Sequence, residues 1–282
     1  MGISGSEISK EAAKIIIMDD NFSTIVSGIE QGRLLFDNLK KVIGYLLPAG
    51  CFAEILPVLA YVFFGLPLPL TTLQMVIICL GTDAIGSIGI IYEYPESDLM
   101  KRKPRNSSVD HLISLSAILK IYIQTGMMQS IIAFFMYFYT MSSYNVDISQ
   151  LLFAYGSWNS NGTYAGVSLA VRNEALSYSQ TGFFVALVMT QLINLLTVRT
   201  RFQSGFKQRF RPSLFLFMAA EMLIVVLFCY IKPLQPFLGS TNAHWYHFVF
   251  PVILGSAIFI IDEFKKFLVR KYPHSCLINL VW

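Results

Sequence analysis

Six long apolar runs dominate the chain, approximately at residues 42–64, 71–92, 113–140, 181–198, 212–231 and 246–262. Each is close to the length of about 20 residues that an α-helix needs to cross a hydrocarbon core of about 30 Å. The fourth run is short, and the third is diluted by Lys120, Gln124 and Gln129. Because an even number of crossings returns a chain to its starting side, six spans predict that both termini lie on one side of the membrane.

The only sizeable polar segment precedes these runs, at residues 1–41. A helical pattern begins near Ser6, and the short apolar run "KIIIM" after it is typical of a buried strand. Beyond this run, apolar positions recur at helical spacing up to the first long run, with no proline between them. We therefore expect a cytoplasmic segment that continues into the membrane as a helical stalk. Since about 40 residues are too few for an independent core, this segment is expected to be the tail of a larger α/β domain.

The expected fold is an all-α membrane protein with six transmembrane helices, preceded by the short α/β tail of a cytoplasmic domain. The boundaries are 1–41 for this tail and the stalk helix, 42–271 for the transmembrane domain and 272–282 for a cytoplasmic tail. Only 13% of the 282 residues are charged and 55% are hydrophobic, against about 25% charged in soluble proteins. This composition indicates a multi-pass protein whose main partner is the lipid bilayer.

Basic residues predict the orientation of the chain. They cluster after the second, fourth and sixth runs, whereas the opposite loops carry only Arg172 and Lys232. Basic loops face the cytoplasm in membrane proteins, so both termini should be cytoplasmic and the loop 141–180 external. The net charge of +4 therefore reflects topology, and no pattern indicates a nucleic-acid partner. The four cysteines have no metal-ligand spacing, so no transition-metal site is expected.

Two carboxylates lie inside the first two apolar runs. Glu54 comes 11 residues before Gly65 and Asp83 comes 13 residues after Leu70, on either side of the tight hairpin "GLPLP". At about 1.5 Å per helical residue, both lie at a similar depth near the middle of the membrane. An intramembrane charge costs at least about 2.5–3.5 kcal/mol on insertion scales. Two acids at one level of adjacent helices therefore indicate a cation site; the alternative is that each acid is protonated or hydrogen-bonded for packing.

Residues that interrupt helices surround these acids. Pro48 and Pro57 bracket Glu54 and free backbone carbonyls, and glycines such as Gly81 loosen the helix near Asp83. Carbonyl and carboxylate oxygens suit hard cations such as sodium, potassium or calcium. Further polar residues lie in later runs: Gln191 and Asn194 share one helical face, and Glu221 lies midway along the fifth run.

Five stretches carry a family pattern: "GSEISKEAAKIIIMDDNFSTIVSGIEQGRLLFDNLKK", "LPLPLTTLQ", "LGTD", "YPESDLMKRKPRN" and "IIDEFKKFLVRKYP". They resemble the carboxyl-terminal third of the sodium/potassium and proton/potassium pumps, a branch of the P-type ATPases. The resemblance implies the last six helices of a ten-helix pump in the plasma membrane, preceded by the end of its phosphorylation domain. It implies that the parent pump uses ATP and Mg²⁺ to move Na⁺ and K⁺.

The resemblance also makes expectations about activity and partners. The signature Asp-Lys-Thr-Gly of the phosphorylated aspartate is absent, so this chain alone is expected to bind no cofactor and to hydrolyse no ATP. Its partners would be the amino-terminal pump domains and, through the loop 141–180, a single-span β subunit. Asn161 begins a glycosylation sequon in that loop.

The resemblance assigns Gln191, Asn194 and Glu221 to positions near the sodium-specific cavity of these pumps. Tyr45 and Thr82 belong to the family's site-shaping motifs. Three departures are expected to weaken the site or change its stoichiometry. Cys79 stands where the family has a carboxylate, Asn194 stands where an aspartate is usual, and the first run carries one extra residue before Glu54. That extra residue requires a bulge if Glu54 is to face the ions.

Three functions are compatible with the sequence. The first is the membrane half of a P-type ATPase that translocates monovalent cations at Glu54 and Asp83. The second is a truncated or degenerate homologue that acts as a non-catalytic membrane partner. The third is an unrelated six-helix channel or secondary transporter, which predicts internal hydropathy repeats, and none is found.

Overall fold

The computed structural model describes residues 1–104, 111–154, 157–158, 160, 163–164 and 166–272. Within this part of the chain the structure is helical, and its only β-type pairing is an isolated bridge between Tyr164 and Val167. Three π-helical segments lie at Pro48–Ala53, Ile77–Asp83 and Lys120–Gly126. The α-helices are α1 (Glu7–Ala12), α2 (Ser23–Leu47), α3 (Glu54–Phe64), α4 (Thr72–Val76), α5 (Ala84–Ile91), α6 (Leu115–Leu119), α7 (Met127–Ser143), α8 (Ile148–Leu151), α9 (Leu169–Val198), α10 (Pro212–Tyr230), α11 (Gln235–Leu238) and α12 (Trp245–Lys271).

Six helical stretches in this part of the chain are long and apolar enough to cross a membrane, which confirms the predicted number. We call them the first to sixth spans, and they are Ser23–Phe64, Thr72–Ile91, Ala117–Ser143, Leu169–Val198, Pro212–Tyr230 and Trp245–Lys271. Large apolar side chains remain exposed on the outer faces, for example Phe63 at 67% and Leu216 at 69%. Exposed apolar surface of this extent fits lipid and not water.

The prediction that the fourth span is short was wrong. It begins at Leu169, about three turns before the apolar run at 181, and it is the most buried of the six. Its first turns are polar, but they are buried against protein: Arg172 is fully buried, and its Nη2 donates to the carbonyl of Ser160 at 2.8 Å. Hydropathy cannot detect such turns, because neighbouring protein and not lipid satisfies their polar groups.

The fourth span forms the centre of the bundle, between α7 of the third span and α12 of the sixth. Phe183 packs edge-on against Phe134, with ring centroids 5.2 Å apart. Gly255 lets α12 approach closely, because a Cβ at this position would lie 2.7 Å from the Cδ1 of Ile193. Small residues at such crossings let membrane helices pack closely, without a hydrophobic driving force between them.

The first span is one unbroken helical stretch from Ser23 to Phe64, and Gly65 caps it with a left-handed φ of 61°. The hairpin after Gly65 is fixed by two side chains of other spans. Tyr137 Oη donates to the carbonyl of Pro67 at 2.8 Å, and Gln180 Nε2 donates to that of Leu68 at 2.8 Å. This hairpin therefore has a fixed position relative to the third and fourth spans.

The predicted strand at residues 14–18 is not present. The segment carries no ladder, and Ile15 and Met18 are 84% and 76% exposed. Its one backbone tie to the preceding residues is the Gly2 amide, which donates to the carbonyl of Ile17 at 2.6 Å. A strand needs a neighbour to satisfy its backbone groups, and the described residues offer none. The α/β character expected for residues 1–41 is therefore absent from this structure.

Buried ion pairs tie the spans together at one end of the bundle, which we call the basic end because the loops after the second and fourth spans lie there. Lys41 of α2 pairs with Glu96 at 3.3 Å, and Arg199 pairs with Glu93 at 3.0 Å. All four side chains are 1% exposed or less. Since a buried charge without its partner is costly, these pairs fix the stalk and the two loops relative to one another.

Candidate cation-binding site

Glu54 of the first span and Asp83 of the second span interact electrostatically, and a π-helical segment leads up to each of them. Pro48–Ala53 ends immediately before Glu54, and Ile77–Asp83 ends on the aspartate itself. A π-helical turn holds an additional residue and so rotates the rest of its helix. The extra residue of the first span is therefore accommodated before Glu54 is reached, and both acids are buried, at 8% and 1% exposure.

Asp83 is surrounded closely and yet left without hydrogen bonds. A Cβ at position 50 would lie 3.0 Å from its Oδ2, so the absence of a side chain at Gly50 leaves room for this carboxylate beside the first span. Within the described residues, both of its oxygens are buried and have no hydrogen-bond partner. The carboxylates of Glu54 and Glu221 interact with it electrostatically, and the Gln191 side chain lies near it but beyond hydrogen-bond distance. An ionised group in this setting calls for a compensating positive charge, or it takes up a proton.

Cys79 is the direct neighbour of Glu54, a contact that sequence reasoning missed. Its Sγ lies 3.2 Å from Oε2 and 3.5 Å from Oε1 of the glutamate, and 3.9 Å from the carbonyl of Gly50. From the sequence, Cys79 was noted only as a cysteine at a position where the family has a carboxylate. The neutral thiol donates a weak hydrogen bond to Glu54 from that position.

Glu221 joins the same region from the fifth span. It is fully buried, and its Oε1 accepts a hydrogen bond from Tyr45 Oη at 3.1 Å, whereas Oε2 has no partner within the described chain. Gly86 makes this contact possible: a Cβ there would lie closer than 3.0 Å to both Tyr45 Oη and Glu221 Oε1. Tyr45, predicted to shape the site, thus connects the first span to the fifth.

Three amides extend the site towards the third and fourth spans. Gln191 Nε2 donates to the carbonyl of Tyr45 at 2.6 Å, and its Oε1 accepts from Gln129 at 2.8 Å and from Asn194 at 3.3 Å. Oxygens of Gln129 and Asn194 stay buried, without partners among the described residues. The sequence identified Gln191 and Asn194 as site residues, whereas Gln129 stood out only as diluting an apolar run.

The remaining predicted shaping residues act on the helices themselves. Pro48 starts the first π-helical segment, and Pro57 lies inside α3, where its missing N–H leaves the carbonyl one turn earlier without its helical donor. Gly81 has only ordinary neighbours, because a Cβ there would lie 3.5 Å from Ile77 and 3.8 Å from Ile224. Thr82 Oγ1 donates to the carbonyl of Ile78 at 2.9 Å. Gly81 and Thr82 thus shape the second span and not the immediate surroundings of the acids.

The three acids have no cationic side chain beside them: within the described chain no Lys or Arg forms an ion pair with Glu54, Asp83 or Glu221. Taking a carboxylate out of water costs several kcal/mol even after relaxation. The arrangement is therefore chemically suited to a mobile cation or to protons, with carboxylate and amide oxygens as the coordinating groups.

Asn161, the predicted glycosylation site, lies outside the described residues. The external loop that contains it is described only in part, and Tyr164 Oη donates there to the carbonyl of Gln150 at 3.0 Å. The β-subunit contact expected of this loop stays a prediction.

Comparisons with known proteins agree with the motifs. A family described as "Cation transporting ATPase, C-terminus" matches residues 67–268. Sodium/potassium-transporting ATPase subunit alpha-4 of Rattus norvegicus is 36% identical over 287 residues, which cover 98% of this chain and 28% of the relative. Subunit alpha-2 of Rattus norvegicus is 37% identical, with 97% and 28% covered. Potassium-transporting ATPase alpha chain 2 of Oryctolagus cuniculus is 37% identical, with 98% and 26% covered.

The chain thus spans little more than a quarter of the length of these relatives. The match covers nearly the whole chain, and the resemblance indicated by the sequence motifs is confirmed. The chain belongs to the cation-transporting ATPase family, as a match to the carboxyl-terminal membrane region of its sodium/potassium- and potassium-transporting members.

Proposed function

We propose that this chain is the membrane half of a P-type ATPase that translocates monovalent cations, sodium or potassium, and that Glu54 and Asp83 bind the ion. The observation that supports the proposal most directly is the buried environment of the Asp83 carboxylate. It is 1% exposed, neither of its oxygens has a hydrogen bond within the described chain, and two further carboxylates lie nearby. A group arranged in this way is stabilised by a bound cation.

Glu221, Gln191 and Asn194 complete the proposed site. Glu221 and the two amides hold buried oxygens on the side of the site formed by the fourth and fifth spans. The names of the relatives, sodium/potassium-transporting and potassium-transporting ATPases, favour these monovalent ions over calcium. By the resemblance, Cys79 and Asn194 replace carboxylates, so we expect fewer or more weakly held cations than in those pumps.

The setting of the site is proposed on the same grounds. The basic loops favour cytoplasmic termini and an external loop 141–180. The plasma membrane and a single-span β subunit are implied by the resemblance alone. In the whole protein, ATP and Mg²⁺ would act in domains that the relatives carry outside this region, and the stalk helix α2 would transmit the motion to Glu54.

Equilibrium binding tests the proposal with this chain reconstituted in lipid nanodiscs. Radioactive sodium and rubidium, the latter as a substitute for potassium, are titrated at constant ionic strength with choline as the balancing ion. We expect saturable binding of one or both ions. Asp83→Asn should weaken it at least about tenfold, which corresponds to about 1.4 kcal/mol, and Glu54→Gln should do the same because the π-helical segment turns Glu54 inward.

Asp98→Asn is the matched control. Asp98 lies outside the spans, and its Oδ1 accepts from Arg102 Nη2 at 2.8 Å. The Arg102 guanidinium holds the pKa of Asp98 below its usual value, so this variant also removes a full negative charge at neutral pH. Its binding should equal that of the wild type. Binding by Asp83→Asn that matches the wild type would contradict the proposal, and no saturable binding to any variant would favour the non-catalytic membrane partner.

A further inference from the structure

A large cavity lies at the basic end of the bundle, between the stalk part of α2 and the loops after the second and fourth spans. We call it the stalk cavity. Its volume is about 440 Å³, within the range of about 300–1,000 Å³ that is usual for small-molecule pockets. Its basic residues are Arg33 and Lys40 of α2, Arg102 and Lys103 of the loop after the second span, and Arg201 of the loop after the fourth. Three separate parts of the chain therefore bring cations to one cavity.

Positive charge exceeds negative charge around the stalk cavity. Among the described residues that line it, five are basic and one, Asp37, is acidic. Two further acids lie beside it as partners of Arg102, namely Glu96 at 3.8 Å and Asp98 at 2.8 Å, and Glu96 also pairs with Lys41. With these partners included, six basic groups face three acidic groups, which is a formal excess of three positive charges. Such an excess favours a ligand with several negative charges.

The guanidinium groups of the cavity are held in place by the fold. Arg33 Nη1 donates to the carbonyls of Leu99 at 3.1 Å and of Arg102 at 3.0 Å. These acceptors are neutral, so they fix the position of Arg33 without cancelling its charge. Asp37 pairs with Arg102 and, at 3.5 Å, with Arg201. Guanidinium groups bind phosphate oxygens through paired hydrogen bonds, so preorganised arginines favour a phosphorylated ligand.

The stalk cavity begins where the bundle leaves the membrane. Lys40 comes two positions before the first apolar run, and Arg201 comes three positions after Val198, the last residue of the fourth span. Ile29 lines the other end of the cavity, 11 positions before Lys40, which is about 16 Å along a helix. The cavity thus extends outward from the membrane surface. Basic pockets between membrane helices at such a surface bind the head groups of phosphoinositides.

We propose that the stalk cavity binds the head group of a polyphosphorylated phosphatidylinositol from the leaflet at the basic end. Arg33, Arg102 and Arg201 hold its phosphates, and Lys40 and Lys103 attract it electrostatically. The two phosphate monoesters of a phosphatidylinositol bisphosphate carry about three to four negative charges in total, which matches the excess of positive charge. The bound lipid connects the stalk to both loops. The cation site is not involved, because none of its residues lines this cavity.

Native mass spectrometry tests the proposal by counting the lipids that the chain retains after release from nanodiscs. The nanodiscs contain phosphatidylcholine with either phosphatidylinositol 4,5-bisphosphate or phosphatidylserine, at equal total negative charge. We expect one bisphosphate lipid per chain, with occupancy that saturates as its mole fraction rises. Phosphatidylserine should not be retained at this site, because its single phosphate diester offers too little charge.

The test variant combines Lys40→Gln with Lys103→Gln, which removes two charges of the cavity and keeps the arginines that pair with acids. Since each lysine near an anionic lipid contributes about fivefold to binding, the lipid fraction for half occupancy should rise at least about tenfold. The matched control combines Lys101→Gln with Arg209→Gln. Both residues are exposed in loops of the same end and do not line the cavity, so this control should bind as the wild type does.

Soluble inositol 1,4,5-trisphosphate separates a membrane ligand from a free one. In nanodiscs of phosphatidylcholine alone it should compete for the site only weakly, because it lacks the acyl chains that hold the head group at the surface. A free inositol phosphate that binds as tightly as the lipid overturns the lipid as the ligand.

The remaining outcomes are equally decisive. Equal retention of phosphatidylserine, or equal loss of binding in the control and the test variant, reduces the effect to surface charge and overturns the proposal. No retained phosphoinositide overturns it as well and leaves the cavity to an acidic segment of the pump domains outside this chain. If the double variant is not recovered folded, Lys103→Gln decides by itself, since Lys103 is exposed: weakening of about fivefold supports the proposal, and unchanged binding overturns it. Sodium or rubidium binding by the same samples is scored separately, so failure of the proposed function is distinguishable from failure of this inference.

Discussion

Gly86→Ala tests whether the contact between Tyr45 and Glu221 organises the site. A Cβ at position 86 would come closer than 3.0 Å to the hydroxyl oxygen of Tyr45 and to Oε1 of Glu221, a separation that real Cβ atoms essentially never show. Both side chains are fully buried, so neither can turn into solvent to make room. The added methyl group must therefore separate the hydroxyl from the carboxylate or push α5 away from α2.

The size of the effect follows from these contacts. Losing a hydrogen bond to a carboxylate costs about 1.5–3 kcal/mol, and overpacking a core by one carbon costs about 1–3 kcal/mol. The helix propensity of alanine over glycine returns about 1 kcal/mol. We expect Gly86→Ala to lower the free energy of unfolding by about 2–4 kcal/mol and to weaken sodium or rubidium binding at least about tenfold.

The assay is reversible unfolding in mixed micelles followed by tryptophan fluorescence, together with equilibrium ion binding in nanodiscs. Gly32→Ala is the control: it also lies within a long helix, but a Cβ there meets nothing within 4 Å. This control should be as stable as the wild type or about 1 kcal/mol more stable. If Gly86→Ala matched Gly32→Ala in both stability and ion binding, the argument for a close-packed Tyr45–Glu221 contact would be refuted.

Two other predictions concern the basic end and the orientation of the chain. Arg199→Met leaves Glu93 buried without its ion-pair partner, so it should lower the free energy of unfolding by about 3–5 kcal/mol. Adding Glu93→Gln should recover most of that loss. An equally large loss of unfolding free energy in the double variant would contradict the ion-pair argument. Ser160→Cys lies in the loop predicted to be external. In intact cells it should react with an impermeant thiol reagent above the background of the native cysteines. Reaction only after permeabilisation would contradict the predicted orientation.

The number of spans could be predicted from the sequence, because lipid imposes the same requirement on every crossing helix: about 20 apolar residues with their backbone groups satisfied internally. A functional role for the acids inside the first two runs could also be predicted from the sequence. A carboxylate in apolar surroundings raises the free energy of the folded chain, so such residues usually have a function. The polar first turns of the fourth span were not predictable from hydropathy, because protein and not lipid surrounds them.

Contacts between spans depended on the tertiary structure. Tyr45 and Glu221 are 176 positions apart, and hydropathy fixes neither the rotation of a helix about its axis nor its height. Three π-helical segments change that rotation immediately before Glu54, up to Asp83 and after Lys120. Cys79, which contacts Glu54, and Lys120, which pairs with Asp262, both lie within these segments.

By itself, the sequence determined a six-span membrane chain of a cation-pump family and predicted acids at a similar depth in its first two runs, since each of these properties is local to one stretch of residues. It also suggested a strand at residues 14–18 that the fold does not contain, because a strand exists only where a neighbour pairs with it. The tertiary structure alone decided which polar groups meet. It left Asp83 without a hydrogen bond within the described chain and gave Lys120 a carboxylate partner, because helix rotation and packing, and not composition, set the distances between charges.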